Sequence, residues 1–178
     1  MLQTKLYTGS EFPELLDETS GKFIKLPEKF SLEGFEPSQN PMVPMVHKDY
    51  VFTKSLFRDV ALFLARPHGH ALWLAGPTGS GKTSVITELA GRLNYPVYSI
   101  TCNSRMEFDD LVGRPMVISK PGEQPSVKFI YGPLARAMKS GGILLLNEVD
   151  LCDPAQLSGL NDVLEGRPLT ITQNGGEQ

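Results

Sequence analysis

The sequence predicts an α/β fold built on a mainly parallel sheet, and three observations carry that expectation. A short apolar run, Ala71-Leu72-Trp73-Leu74-Ala75, feeds into the glycine-rich segment Gly76-Pro77-Thr78-Gly79-Ser80-Gly81-Lys82-Thr83, and an amphipathic helical pattern leaves it. Further short β-like runs alternate with helical ones along the chain, the order expected of a parallel sheet. Ile143-Leu144-Leu145-Leu146 is continuously apolar, as a strand buried on both faces should be.

Each position of the glycine-rich segment has its own physical task. Gly76, Gly79 and Gly81 let backbone N–H groups turn inward around phosphate oxygens, where a Cβ would obstruct them. Lys82 reaches toward the β- and γ-phosphates, and the Thr83 hydroxyl is placed to ligate Mg²⁺. Pro77, Thr78, Ser80 and Ser84 complete the contact set, and the helix opening here aims its positive end at the same anion. Strand, loop and helix in that order are the context a phosphate-binding P-loop requires.

The elements follow in chain order. Residues 1 to about 45 lack a sustained period and are rich in Pro, Glu, Ser and Gly, so they read as an N-terminal extension or linker with short ordered pieces. Thr53 can cap a helix over 54–66 whose Leu56, Phe57, Val60, Phe63 and Leu64 share a face, with Pro67 as its stop. The helix after the P-loop, 82–93, turns Val85, Leu89 and Leu93 to one side. Residues 96–101 form a short strand and 106–111 a short helix. The runs 115–119 and 127–131, around Gly122 and Pro125, read as an inserted hairpin. Pro133 opens a helix through Lys139 that Gly141-Gly142 closes. Asp153-Pro154-Ala155-Gln156 starts another helix, with Asp153 as cap and Gln156 completing a capping box; Leu157, Leu160, Val163 and Leu164 line its core face, and Gly166 ends it. Residues 167–172 followed by Asn174-Gly175-Gly176 read as a strand entering a hairpin turn, and the given sequence stops there.

The run 143–146 delivers Asn147-Glu148-Val149-Asp150, which is the Walker B arrangement of a buried strand with acids at its carboxyl end. The usual pattern has Asp at the first of these positions, to hold Mg²⁺ with the P-loop hydroxyl. Asn147 can still accept a hydrogen bond from a metal-bound water but brings no charge. Glu148 can orient and deprotonate an attacking water. Asp150 is better read as a structural charge than as a catalytic one.

Composition narrows the function. The net charge is −3 over 178 residues, so no basic field recruits nucleic acid. Cys102 and Cys152 have neither metal nor disulfide spacing and read as reduced, partly buried thiols of a cytoplasmic protein. No long apolar run or signal peptide is visible. His68 and His70 lack a third ligand and read as a turn. Trp73 reads as core, and Arg105, Arg114 and Arg136 as solvated or locally paired arginines, each a weaker candidate for a subunit contact.

The residues resemble an AAA+ ATPase of the MoxR-like group, closest to the CobS and CbbQ/NorQ types. The resemblance runs from about Val43 to Gln178 and rests on Tyr50-Val51-Phe52, on Gly76 to Pro96, on Asp110-Leu111-Val112-Gly113-Arg114, on Gly132-Pro133-Leu134-Ala135-Arg136-Ala137 and on Leu164-Glu165-Gly166-Arg167. It implies a three-layer P-loop NTPase sandwich covering 46–178, incomplete at its C-terminus before sensor 1 and the helical lid. It also implies ATP and Mg²⁺ as cofactors and a homo-oligomeric ring, usually hexameric. The implied activity is hydrolysis that remodels or activates a client protein, often with a partner bearing a von Willebrand A-type domain, in metal insertion or enzyme activation. By the same analogy the loop 103–109 faces a central pore, and the hairpins near 115–131 and 167–178 are insertions of the clade. Two other readings compete: a nucleotide-binding module that does not hydrolyse, and a nucleic-acid motor or loader, which the acidic balance disfavours.

Overall fold

The computed structural model describes residues 3–66, 71–119, 121–122 and 124–178. The chain divides into two compact units, residues 1–97 and 98–178.

The first unit opens with β structure. Strand β1 (Thr4–Thr8) pairs antiparallel with β4 (Ser31–Phe35), Leu6 facing Glu33 in the register. Strand β2 (Leu15–Asp17) lies between β3 (Lys22–Ile24), antiparallel, and β5 (Phe52–Thr53), parallel. The region expected as an extension with short ordered pieces therefore carries four strands. They are only three to five residues long, too short for a sustained period of two to mark them in sequence. A cluster of rings holds them: Phe12 meets Phe30 at 5.8 Å and Phe57 at 5.6 Å, edge to face. Phe57 belongs to helix α1 (Lys54–Ala65), which buries Phe57 and Val60 of the expected face together with Ala61, while Leu56, Phe63 and Leu64 are half-buried. Thr53 occupies the cap position, but its side chain makes no capping bond.

Helix α2 (Lys82–Arg92) buries Val85, Ile86, Leu89 and Ala90, and Leu93 follows it fully enclosed. Enclosing Leu89 and Leu93 stabilises the unit by roughly 1.5–3 kcal/mol each. The expected strand 71–75 is not formed: no strand among the described residues pairs with it, and a strand exists only through its ladder. Trp73, expected in the core, is 69% exposed in consequence. Pro67, His68 and His70 lie outside the described residues.

Strand β6 (Val97–Thr101), which enters the second unit at Tyr98, pairs with β9 (Ile143–Asn147) in parallel, so the fold is the α/β P-loop class that the sequence predicts. Every residue of β9 is half-buried rather than buried on both faces, because β6 is its one strand neighbour among the described residues. Helix α3 (Phe108–Val112) runs into the hairpin of β7 (Gly113–Ile118) and β8 (Ser126–Tyr131), whose register sets Met116 opposite Lys128. Helix α4 (Pro133–Ser140) starts on its proline and ends at Gly141 in the left-handed region.

The helix expected from Asp153 is divided: α5 (Pro154–Leu157), a 3-10 turn over Ser158–Leu160, and α6 (Asn161–Leu164). Asp153 caps it through the N–H of Ala155, but Gln156 completes no capping box. Its Oε1 accepts instead from the backbone N–H of Phe108 at 3.0 Å. The terminal strand is also absent: the hairpin reduces to one bridge, Ile171 with Glu177, closed over a 3-10 turn Thr172–Asn174. Cys102, Met106, Leu111, Leu134, Cys152 and Ile171 centre this unit's core.

Candidate nucleotide-binding site

Three left-handed glycines shape the loop at the start of α2. Gly76, Gly79 and Gly81 have φ of +152°, +81° and +83°, a region costly for any residue with a Cβ. At Gly79 and Gly81 a Cβ would meet no atom of the described residues within 4 Å, so the loop has open space on that side among them. Gly81 is the residue before the helix, and no side chain caps the helix there. The first turn therefore presents its N–H groups and positive end to whatever occupies that space.

Lys82 folds over the loop. Its Nζ donates to the carbonyls of Gly76 and Pro77, both at 2.8 Å, and to Ser80 Oγ at 3.5 Å. The ammonium thus stands on the rim of the cradle, held by neutral acceptors that an anion can displace. Pro77, Thr78 and Ser80 line the exposed loop, and Thr83 and Ser84 open the helix. Thr87 ties that first turn together, its Oγ1 donating to the Thr83 and Ser84 carbonyls at 3.2 and 3.1 Å. A cradle with open glycines, an ammonium at its rim and a helix start behind it fits the phosphates of a nucleotide.

The other candidates belong to the second unit. Asn147 ends β9, and Glu148 follows it exposed, with φ +53° and ψ +43°. A non-glycine side chain in this region is uncommon, and such backbone strain concentrates at functional positions. The turn swings the chain off the strand at once into a 3-10 segment over Val149–Leu151. Asp150 is exposed in that segment. Thr83, in the first turn of α2, carries a hydroxyl, and Asn147, at the end of β9, an amide oxygen. Among the described residues no group of three or more His, Cys, Asp or Glu could hold a metal ion by itself.

The arginines considered from sequence are partly accounted for. Arg114 pairs with Asp110 one turn away, and Arg136 stacks over the Tyr98 ring at 4.9 Å. Cys102 and Cys152 are free and buried, and burial pushes the Cys102 thiol above its ordinary value, reinforced by neighbouring Cys152. One residue of the helix after the P-loop is not singled out as a candidate by the sequence. Glu88, on α2, is 3% exposed and bonded to His47. Its signal was legible, since it stands three residues after buried Val85 and beside Leu89, on the apolar side of the helix.

Residues 71–178 match the family model described as AAA domain (dynein-related subfamily). The uncharacterized protein YojN of Bacillus subtilis (strain 168) is 33% identical over 124 residues, covering 70% of this chain and 40% of that protein. An uncharacterized protein of Staphylococcus haemolyticus is 33% identical over 125 residues, 69% of this chain and 46% of its own length. One of Staphylococcus epidermidis is 33% identical over 137 residues, 76% and 50%. The chain therefore spans half or less of the length of these relatives.

Proposed function

The chain belongs to the AAA domain family, dynein-related subfamily, and on that premise we propose that it binds and hydrolyses Mg-ATP as part of a MoxR-like ATPase that remodels or activates a partner protein. The family carries ATP binding, and its AAA+ domains commonly form oligomeric rings. The observation that carries the finer reading is the cradle of Gly76, Gly79 and Gly81, open at Gly79 and Gly81, with Lys82 on its rim.

In this reading the nucleotide-binding core is 46–178, with 1–45 as an N-terminal extension. The loop 76–84 binds the phosphates through its N–H groups, and Lys82 exchanges the Gly76 and Pro77 carbonyls for β- and γ-phosphate oxygens. Thr83 would hold Mg²⁺, with Asn147 acting through a water, and the cation would supply charge neutralisation on the phosphates. Glu148 orients the attacking water and takes its proton. The left-handed turn presents that carboxylate clear of the strand, exposed to solvent. The Leu-Val-Gly, Gly-Pro-Leu and Leu-Glu-Gly-Arg stretches favour the CobS or CbbQ/NorQ type. That extends the proposal to a hexameric ring in the cytoplasm, acting in metal insertion or enzyme activation with a von Willebrand A-type partner. No helix among the described residues is long and apolar enough to cross a membrane.

A second reading, a nucleotide-binding scaffold without turnover, draws on Asn147, whose amide brings no charge to the metal. Steady-state ATP turnover against protein concentration, with Mg²⁺, separates the two in the native chain and Glu148→Gln. Specific activity that rises with concentration and disappears in the variant supports a self-assembling ATPase. Tight ATP binding with no turnover in either protein leaves the scaffold.

A further inference from the structure

We propose that Glu88 is a positioning residue for nucleotide binding, latching the segment 40–52 onto the helix that begins in the phosphate-binding loop. The proposal rests on the reading of that loop as an ATP site. Among the described residues Glu88 is the one buried charged or polar side chain, 3% exposed. A carboxylate taken out of water is costly unless hydrogen bonds and an opposite charge compensate it.

Among the described residues Glu88's compensation comes from that segment and from its own helix. Both carboxylate oxygens accept the backbone N–H of His47 at 3.2 Å, and Oε1 also contacts the His47 Nδ1. Arg92, one turn along α2, stands 3.7 Å away and donates to the His47 carbonyl at 3.1 Å. If the segment left, a buried carboxylate would lose its backbone donor and its imidazole together. The latch is therefore closed by the cost of opening it.

Other contacts hold this strap against the start of β6 and against α2. Met42 accepts from the Val97 N–H at 2.7 Å. A Cβ on Gly91 would lie 2.6 Å from the Pro44 carbonyl, so the strap backbone runs directly against the helix. Arg92 stacks over Phe52 at 5.3 Å, and Phe52, fully buried, meets Phe57 of α1 at 5.4 Å. The strap thus joins α1 to α2 and sets the seat of the helix whose first residues are Lys82 and Thr83. Phosphate binding depends on N–H groups aimed at fixed oxygens, and a displacement of about 1 Å in such a group is enough to cost much of its effect.

The test is calorimetric titration of Mg-ATP into the full chain and into Glu88→Ala and Glu88→Gln, with hydrogen exchange of the His47 amide in the native chain. We expect Glu88→Ala to weaken Mg-ATP binding about tenfold. Glu88→Gln, which keeps an oxygen for the His47 N–H, recovers most of that loss. Because coupling is reciprocal, Mg-ATP must slow exchange of the His47 amide in the native chain, relative to amides of β3. This last measurement decides the matter even if Glu88→Ala fails to fold. Native affinity in a folded Glu88→Ala, or His47 exchange indifferent to bound ATP, overturns the latch and leaves the ATP site standing. A native chain that binds no Mg-ATP removes the functional reading and the latch with it.

Discussion

The backbone N–H of Cys102 donates to the carbonyl of Asn147 at 2.8 Å, so the link between the β6 and β9 segments reaches the residue just before Glu148. Asn147 is held through its main chain, and its side chain can be changed without disturbing that bond. Asn147→Asp, nearly isosteric, should lower the Mg²⁺ concentration for half-maximal turnover by about tenfold, since ligand charge is a main determinant of affinity at hard-cation sites. A Mg²⁺ titration of turnover checks this. An unchanged midpoint would place the side chain outside the metal's surroundings.

The hairpin after α3 depends on a close approach at its base. Gly113 has φ +123°, and a Cβ there would fall 2.3 Å from the Ile130 carbonyl. Gly113→Ala should destabilise the chain by about 3 kcal/mol or more, combining backbone strain with a clash against rigid main chain. Gly122, at φ +82° with no atom of the described residues within 4 Å of its Cβ, is the control. There the cost should be about 1 kcal/mol, the left-handed penalty alone. Urea unfolding of both variants measures the difference, and equal losses would contradict the stated pairing of β7 with β8.

The terminal bridge is tied to the hairpin and α4 through one carboxylate. Glu177 contacts Lys139 at 2.6 Å and accepts from Tyr131 and Asn174, and these partners, the Lys139 ammonium first, hold its pKa down at about 2 against an ordinary 4.5. A carboxyl whose folded pKa is depressed contributes fully above the unfolded value and loses its contribution as pH falls through the folded one. The turn at 171–177 should therefore loosen between pH 4.5 and about 2. Titrating the Glu177 carboxyl by NMR should give a midpoint near 2, and Lys139→Met should move it back toward the ordinary range. A native midpoint near 4.5 would show that the network is not formed in solution.

Much of this molecule was legible residue by residue. The loop 76–83, the helix that buries Val85, Leu89 and Leu93, the hairpin around Gly122 and the Pro133–Gly141 helix all follow from local rules. These are left-handed glycines, a 3.6-residue period, and proline and glycine at opposite helix ends. Local rules act within a few residues, so a single sequence displays them. Tertiary structure alone decided the rest. The apolar run 71–75 has no strand to pair with among the described residues, and Trp73 is exposed for that reason. Gln156 gave up the cap of its own helix for a donor 48 residues away, at Phe108. Glu88, on the apolar side of its helix, found its donor 41 residues earlier, at His47. Which long-range partner satisfies a buried polar group depends on where the whole chain places it, and no local pattern records that.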